Sequence, residues 1–275
     1  MSNAVALTLY NGRFSQQVGA ESRGLAYGDG IFETVLVRGS RPLWLEEHLQ
    51  RLASGAKQLG IPCDLVEIRR DCTILIASLD TPMAVLKIVL CRGHVSRGYT
   101  PHLSTPDRVL SISPYSQNCS AWNNGIALAV CQTQLSSQTR LAGIKHLNRL
   151  EQVLAAEELL KRGYQEGLMM HGGRIIEASR SNVFFAVDGE LVTPSLGLCG
   201  VSGIMRQQVL KHAANLAIPT RVCDLGISLL QQAEEVFVCN SVFGLWPVTK
   251  VECVHKEIGP ISRLLQREFD SFFYV

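Results

Sequence analysis

Apolar residues along the chain recur with the two periods that distinguish strands from helices. Short runs such as VALTLY (5–10) alternate, and this one is followed by Asn11-Gly12, a dipeptide typical of tight hairpin turns. Longer runs place an apolar residue at every third or fourth position, which gives a helix one continuous buried face. In the first half of the chain these periods predict hairpins turning at Asn11-Gly12 and Gly39-Ser40, helices over 45–59 and 65–79, and strands over 83–92 and 108–115.

The second half opens with the strand-like run GIALAVCQ (125–132) and continues to a helix that starts near Asn148. Asn148 can cap this helix, and Glu151, three residues later, can complete a capping box. Four apolar residues are expected to form its buried face: Leu150, Val153, Leu154 and Leu160. The remaining predictions are hairpins turning at Gly172-Gly173 and Asp188-Gly189, helices over 204–217 and 262–272, and the strand EVFVCNS (235–241).

Strands come in hairpin runs rather than in regular strand–helix alternation, which indicates a mixed α+β fold. The length of 275 residues suits one large domain or two modest ones. Residues 116–124, SQNCSAWNN, are polar and without period, as in a linker. The sequence therefore predicts an N-terminal α/β domain over 1–115 and a C-terminal α/β domain over 125–275, which carries Lys145.

Composition excludes several classes of protein. Apolar residues make up 47% and charged residues 18%, as in ordinary globular proteins, and the net charge is +2 without a basic run. Nucleic acid and anionic membranes are therefore not expected as partners, and no apolar stretch is long enough to predict a membrane span. The N-terminus lacks a charged region followed by an apolar core, so a secretory signal is not expected. The nine cysteines are scattered without a Cys-x-x-Cys pair, and Cys131 and Cys239 lie in apolar runs. Buried, reduced thiols in a cytoplasmic protein are expected, rather than disulfides or a metal site.

Lys145 stands in LAGIKHLNRLEQVLA (141–155), just before the predicted helix. A lysine at such a position is most often a solvated surface residue. The helix dipole disfavours a cation there, however, and so would favour the neutral, nucleophilic amine. Lys145 is therefore either solvated or a covalent anchor for a carbonyl cofactor.

A carbonyl cofactor with a phosphate would need a phosphate cradle and a carboxylate beside its ring nitrogen. The turn in CGVSGIMRQQVL (199–210) leads into a helix, where the amides of Ile204 and Met205 could hold a phosphate or simply begin the helix. Glu177, at a strand end in RIIEASRSN, could be the carboxylate or an ordinary surface residue. Arg51, in HLQRL, could clamp the phosphate or be a solvated helix arginine.

Together these segments resemble the class IV aminotransferase family, the fold-type IV enzymes that use pyridoxal 5'-phosphate. The resemblance runs over nearly the whole chain, and the wordings IKHLNRLEQV and GIMRQ are its most specific parts. The Gly-Asp-Gly turn is shared by the wider family, so it is less specific to one of its members. The matching segments are YGDGIFET (27–34), HLQRL (48–52), CRGHVSRGY (91–99), LAGIKHLNRLEQV (141–153), RIIEASRSNVFF (174–185), GVSGIMRQ (200–207) and EVFVCNS (235–241).

The resemblance implies a two-domain fold like that of D-amino-acid aminotransferase, with the cofactor in the cleft between the domains, and a homodimer. Lys145 would be the Schiff-base lysine, and Glu177 would pair with the pyridine nitrogen. The phosphate would be held by Arg51, by the amides of Ile204 and Met205, and by Ser241 beside Asn240. Phe32 and Thr34 would line the pocket, with Thr34 assisting proton transfer, and Arg97 and Tyr99 would bind a substrate carboxylate. His48 and His146 are interpreted as structural.

The wording around Lys145 is most similar to the lyases of this family, which convert 4-amino-4-deoxychorismate into 4-aminobenzoate and pyruvate. A D-amino-acid or branched-chain aminotransferase is the alternative, because it would share Lys145, Glu177 and the phosphate cradle. A relative that binds cofactor or protein without catalysis is the third possibility, and the joint presence of Lys145, Glu177, Arg51 and Arg97 argues against it.

Overall fold

The structure is a computed structural model that describes residues 6–94, 98–102 and 105–274. They form two compact units: unit 1 extends to Ser116 and includes Ile144–Asn148, and unit 2 comprises Gln117–Gly143 and the residues from Arg149 onward. The predicted division differs at two points. Residues 117–124 are part of unit 2 and contain a helix rather than a linker, and Lys145 belongs to unit 1 rather than to the C-terminal domain.

Unit 1 is built on one antiparallel sheet, which within the described ranges has six strands in the spatial order β2-β1-β6-β5-β3-β4. Its elements are β1 (Leu7–Tyr10), β2 (Arg13–Phe14), α1 (Arg23–Tyr27), β3 (Gly30–Arg38), β4 (Arg41–Pro42), α2 (Leu45–Leu59), α3 (Leu65–Ala77), β5 (Met83–Cys91) and β6 (Asp107–Pro114). Both predicted hairpins are confirmed, and α2 has the predicted bounds.

Period-two alternation in β3 divides its side chains between the two faces of the sheet. Ile31 and Val35 pack into the core of unit 1 together with Leu49 and Leu52 of α2. Glu33 lies between them in sequence and is also buried. The intervening residues of β3, which include Phe32 and Thr34, therefore face the other side of the sheet.

Residues 144–148 join unit 1 through one side chain and several backbone hydrogen bonds. Ile144 is buried in the same core. The Phe32 amide donates to the Lys145 carbonyl and the Leu147 amide donates to the Gly30 carbonyl, each over 2.9 Å. This segment therefore runs beside the start of β3 as an extended stretch. The next helix begins only at Leu150, so the expectation that Lys145 lies at a helix N-terminus is wrong.

Unit 2 contains a larger mixed sheet in the order β12-β11-β10-β14-β15-β7-β8-β9-β13, with β16 paired to β15, among the residues that the structure describes. The predicted turns at Gly172-Gly173 and Asp188-Gly189 both connect antiparallel strands. The elements of unit 2 are α4 (Cys119–Asn124), β7 (Ile126–Val130), α5 (Leu150–Arg162), β8 (Glu166–His171), β9 (Arg174–Ala178), β10 (Asn182–Val187), β11 (Glu190–Pro194), α6 (Ile204–Asn215), β12 (Thr220–Cys223), β13 (Leu225–Gly226), α7 (Leu229–Gln232), β14 (Glu235–Asn240), β15 (Gly244–Val251), β16 (Val254–His255) and α8 (Pro260–Phe273).

Helix α5 departs from the sequence prediction in its cap. Its N-cap is Arg149, not Asn148, so the predicted capping box is wrong. The Asn148 amide instead donates to the Gly28 carbonyl within unit 1 over 3.1 Å. The Glu151 carboxylate accepts the amide hydrogen of Ser136 at 2.8 Å, which ties the helix to a loop rather than to its own first turn.

The predicted buried face of α5 is also wrong. Leu150 and Leu160 are 76% and 79% exposed, and Val153 and Leu154 are more than half exposed. The buried residues of this helix are Ala155 and Leu159. An apolar stripe is therefore present on α5, as the periodicity indicated, but it lies on the outer side of unit 2.

The structure tests two expectations from composition, which concern the cysteines and a membrane span. Cys131 and Cys239 are buried free thiols, as predicted, whereas Cys119 and Cys253 are exposed. Across 6–94, 98–102 and 105–274, none of the helices is both long and apolar enough to cross a bilayer.

Candidate active site

Lys145 lies against an aromatic ring of unit 1. Its Nζ is 4.5 Å from the centroid of the Phe32 ring, a distance at which an ammonium group is attracted to an aromatic face. Pairing of residues 145–147 with the start of β3 sets this geometry, because it places Lys145 beside Phe32. Two residues predicted for the pocket are thus brought together.

A second lysine lies near the same ring. Lys87 of β5 has its Nζ 5.5 Å from the Phe32 centroid, and in the sheet Lys87 lies directly opposite Thr34. Directly opposite residues share a face of the sheet, so Thr34 and Lys87 are neighbours there. Phe32, Thr34, Lys87 and Lys145 therefore form one cluster of unit 1, hereafter the lysine cluster.

Arg51 is held by a buried carboxylate on the other face of β3. Its Nε donates to Oε1 of Glu33 at 2.7 Å, and its Nη2 donates to Oε2 at 2.5 Å. Nδ1 of His48, one helical turn earlier on α2, lies 2.6 Å from the same Oε2. Burial would raise the pKa of Glu33, but the Arg51 charge and the His48 hydrogen bond outweigh it and lower that pKa to about 2.

Glu177 is a buried carboxylate of unit 2 with a defined backbone partner. It is 4% exposed at the end of β9, and its Oε2 accepts the Val201 amide hydrogen at 2.8 Å. The Asn182 side-chain amide donates to the Val201 carbonyl at 2.9 Å. Both ends of the Val201 backbone are therefore fixed by side chains from the strands that flank the turn 179–181.

The Val201 segment leads directly into α6, whose first residues are Ile204 and Met205. Gly203 occupies the N-cap position, so the cap has no side chain, and the first turn contains no acidic residue. A Cβ at Gly203 would collide with Oδ1 of Asn182. The first amides of α6 are therefore not capped by a side chain, and the helix dipole favours an anion beside them.

Asn240 and Ser241 lie at the end of β14, where the chain turns into β15. Oδ1 of Asn240 accepts the amide hydrogens of Val242 and Phe243, each at 2.9 Å. Its side-chain amide donates to the Arg180 carbonyl at 3.2 Å. Asn240 thus shapes the turn that presents Ser241.

The two residues predicted to bind a substrate carboxylate have different outcomes. Arg97 lies outside the described residues. Tyr99 is 85% exposed, and its ring centroid is 5.4 Å from that of Tyr27. The Tyr99 carbonyl accepts from Nη2 of Arg23 at 3.2 Å.

Sequence reasoning missed Glu33, Lys87 and Asn182. A glutamate between Ile31 and Val35 on a buried face was the available signal for Glu33, because a charge there requires a partner. Asn182 follows Glu177 by five residues in the quoted motif, and Lys87 interrupts an otherwise apolar strand. Each was visible as a polar residue in an apolar run, but its partner is distant in sequence.

Comparison with known proteins places the chain in a family. The model of the family Amino-transferase class IV matches residues 30–251. The chain belongs to the class IV aminotransferases.

Among the relatives, aminodeoxychorismate lyase from Vibrio harveyi is 33% identical over 94% of this chain and 96% of its own. The crystal structure of 4-amino-4-deoxychorismate lyase from Pseudomonas aeruginosa superposes with a TM-score of 0.92, at 41% identity, and covers 96% of this chain and 98% of that one. Branched-chain amino acid aminotransferase from Escherichia coli superposes with a TM-score of 0.89, at 26% identity, and covers 98% and 94%. The mixed α/β fold expected from the resemblance to this family is confirmed.

Proposed function

We propose that this class IV aminotransferase relative is a pyridoxal 5'-phosphate-dependent lyase that converts 4-amino-4-deoxychorismate into 4-aminobenzoate and pyruvate, a step towards folate. The observation that carries the proposal is the 41% identity to a solved lyase of that specificity over 96% of the chain. The aminotransferase compared above shares 26%.

The residues present fit the cofactor. The uncapped start of α6 suits a phosphate, since Gly203 leaves its first turn without a side-chain cap and without an acidic residue. Glu177 is a buried carboxylate fixed at one oxygen by the Val201 amide, as a partner for a ring nitrogen should be. Lys145 offers a primary amine against an aromatic face.

We assign the roles as follows. Lys145 is the covalent anchor and the base that moves a proton at the carbon bearing the substrate nitrogen. Arg51, the amides of Ile204 and Met205, and Ser241 beside Asn240 hold the phosphate. When bound, the cofactor supplies an aldehyde for attachment to amines and a ring that withdraws electrons. Glu177 keeps the ring nitrogen protonated, which maintains that withdrawal.

The lysine cluster supplies the remaining parts. Phe32 forms an apolar surface beside Lys145 and so limits water there. Thr34 can pass a proton, and Lys87, its cross-strand neighbour, adds a positive charge suited to a carboxylate of the substrate. Arg97 and Tyr99 are proposed to bind a substrate carboxylate, as in the family pattern.

A product assay separates the lyase from the aminotransferase. The protein loaded with pyridoxal 5'-phosphate is incubated with 4-amino-4-deoxychorismate, and 4-aminobenzoate and pyruvate are measured. In parallel, D-alanine or leucine is supplied with 2-oxoglutarate, and glutamate is measured. Equimolar 4-aminobenzoate and pyruvate support the lyase, whereas glutamate as the main product makes the chain an aminotransferase.

Lys145→Ala tests the anchor in the same assay. The variant should lose at least about 10²–10⁴-fold in rate, because a base is removed together with covalent attachment. Borohydride should fix the cofactor to the parent chain at Lys145 and not to the variant. Lys161→Ala, on the exposed side of α5, is the matched control and should retain full rate. A Lys145→Ala protein with the parent rate would contradict the assignment.

A homodimer is the proposed assembly, supported by the exposed apolar residues near the start of α5. Leu150, Val153 and Leu154 form a contiguous apolar surface that a second copy of this chain would cover. Leu150→Asp with Leu154→Asp should give a monomer in sedimentation analysis. Val66→Asp on α3 is the control, since Val66 is 75% exposed and Leu150 76%. A dimer that survives the double change would refute this interface.

The proposed location is the cytoplasm. Its support is the set of free, buried thiols, including Cys72, Cys131 and Cys239, which suits a reducing compartment.

A further inference from the structure

We infer that Glu33 is a positioning residue that fixes the guanidinium of Arg51 for phosphate binding. The inference rests on the proposed function, in which Arg51 holds the phosphate of pyridoxal 5'-phosphate. It concerns a buried cluster, Glu33, His48 and Arg51, that lies entirely within unit 1.

The geometry of the pair is bidentate. Two nitrogens of one guanidinium edge, Nε and Nη2, donate to the two oxygens of one carboxylate at 2.7 and 2.5 Å. Such a fork fixes both the plane and the direction of the guanidinium. The same fork therefore also fixes the direction in which Nη1 points.

The carboxylate is itself held in place. Nδ1 of His48 lies 2.6 Å from Oε2 of Glu33, and both side chains are essentially inaccessible, at 0% and 1% exposed. Glu33 comes from β3, while His48 and Arg51 are one turn apart on α2. Strand and helix together therefore determine where the Arg51 side chain ends.

Packing alone does not account for a glutamate at this position. Its neighbours on the same face of β3, Ile31 and Val35, are apolar core residues. A buried carboxylate is costly unless it is paired, and replacing a buried pair by apolar residues is often neutral or stabilising. A specific task for the charge, namely to orient Arg51, explains why it is present.

Glu33 affects phosphate binding in two opposing ways. Its negative charge weakens the attraction of the cluster for an anion, whereas its hydrogen bonds present a guanidinium that needs no ordering when the phosphate arrives. A long side chain loses conformational freedom on binding unless it is already fixed. Partners that orient a ligand-binding group are worth about tenfold or more in metal sites, and we expect the orienting effect to prevail here too.

The test compares ligands with and without the phosphate. Cofactor-free protein is titrated with pyridoxal 5'-phosphate and with pyridoxal, and Kd is read from the absorbance and the tryptophan fluorescence. Glu33→Gln should weaken binding of pyridoxal 5'-phosphate about tenfold or more and change that of pyridoxal less than about twofold. Glu46→Gln, which alters an exposed carboxylate of α2, should change neither.

Three outcomes overturn or support the inference. Unchanged or tighter binding of pyridoxal 5'-phosphate by Glu33→Gln overturns it, and so does an equal loss for both ligands. A loss confined to the phosphorylated ligand supports it. If Glu33→Gln is too unstable to titrate, His48→Leu takes its place, and a loss of about threefold or more, again confined to the phosphorylated ligand, is then required.

Arg51→Gln separates this inference from the proposed function. If Arg51→Gln does not reduce the preference for the phosphorylated ligand, the role of Arg51 in the proposed site is wrong. If Arg51→Gln removes that preference and Glu33→Gln keeps it, Arg51 binds phosphate without help from Glu33, and only the positioning role falls.

Discussion

Glu33 in unit 1 and Glu166 in unit 2 are buried to the same degree, at 1% and 0% exposed, yet their protonation responds in opposite directions. Glu33 faces Arg51 and His48, and its pKa falls to about 2. Glu166 accepts hydrogen bonds from the hydroxyls of Ser179 and Ser181 and from its neighbouring amide. Burial is the largest influence on Glu166 and raises its pKa above the ordinary value.

The difference lies in the charge of the partners. Hydroxyl and amide hydrogen bonds lower the pKa of a buried carboxylate, but here they do not offset its loss of hydration. A guanidinium in bidentate contact does offset it. Within the described residues, Glu166 forms an ion pair with Arg180, whose Nε lies 3.6 Å from Oε2 of Glu166. The Arg180 side chain is 57% exposed. Glu33 therefore serves to orient a charge, whereas Glu166 ties the start of β8 to the turn 179–181.

The largest expected effect comes from Glu33→Gln. It removes the carboxylate that pairs with Arg51, whose side chain is only 13% exposed, so the free energy of unfolding should fall by about 3–5 kcal/mol. Urea denaturation of the cofactor-free protein at pH 7 measures this. The exposed control Glu46→Gln should stay within about 0.5–1 kcal/mol of the parent. A loss below about 1 kcal/mol for Glu33→Gln would remove the contrast with Glu166.

Acid should reveal the same interaction. Because the pKa of Glu33 is about 2 in the folded state, well below its ordinary value of 4.5, its ionised form stabilises the fold. That contribution, on the order of 3 kcal/mol, is complete above the unfolded pKa and is lost as the pH falls from about 4.5 to about 2. Denaturation curves between pH 6 and pH 2 should show this loss in the parent and not in Glu33→Gln. Parallel curves would contradict it.

Glu166→Gln should have a smaller effect and the opposite dependence on pH. A raised pKa in the folded state gives stability that is present below the unfolded pKa and lost as the pH rises through the folded pKa. Gln cannot ionise, so it should gain stability relative to the parent as the pH rises above the ordinary range of a glutamate. If the relative stability of the variant falls over that rise in pH, Glu166 is held as an anion like Glu33.

The smallest effect is expected from Arg180→Gln. The Arg180 side chain is 57% exposed and solvent screens its attraction to Glu166, so the change should cost less than about 1 kcal/mol. Arg51→Gln, at 13% side-chain exposure, should cost several times more under the same conditions. Similar losses for the two arginines would mean that exposure does not decide the strength of these pairs.

Much of unit 1 could be predicted from the sequence because local signals there agree with tertiary packing. The period of α2 and the left-handed conformation of Gly60 after it fix that helix, and Asn11-Gly12 adopts the two positive φ angles that its hairpin needs. Polar partners distant in sequence were out of reach. Arg51 was predicted as a phosphate clamp, but nothing local identified Glu33 as the residue that holds it.

Helix α5 illustrates the limit of periodicity. Its apolar stripe was predicted to be buried but is exposed, because a hydrophobic period does not state what covers it. On the inner side, Glu151 and Glu158 accept amide hydrogens of the loop 132–136, so acidic side chains face the rest of unit 2. Lys145 was similarly misplaced at a helix start, because the extended segment 144–148 is fixed by pairing with β3, more than a hundred residues earlier.

Because residues 144–148 belong to unit 1, unit 1 is completed late in synthesis. When residue 116 has been synthesised, all the described strands of the first sheet have been made. The segment 144–148, which pairs with β3 and contributes Ile144 to the core of unit 1, has not yet been made. That pairing is completed only after the first part of unit 2 has emerged. A fragment ending at residue 116 would therefore expose the Gly30–Phe32 backbone and lack the lysine on which the proposed chemistry depends.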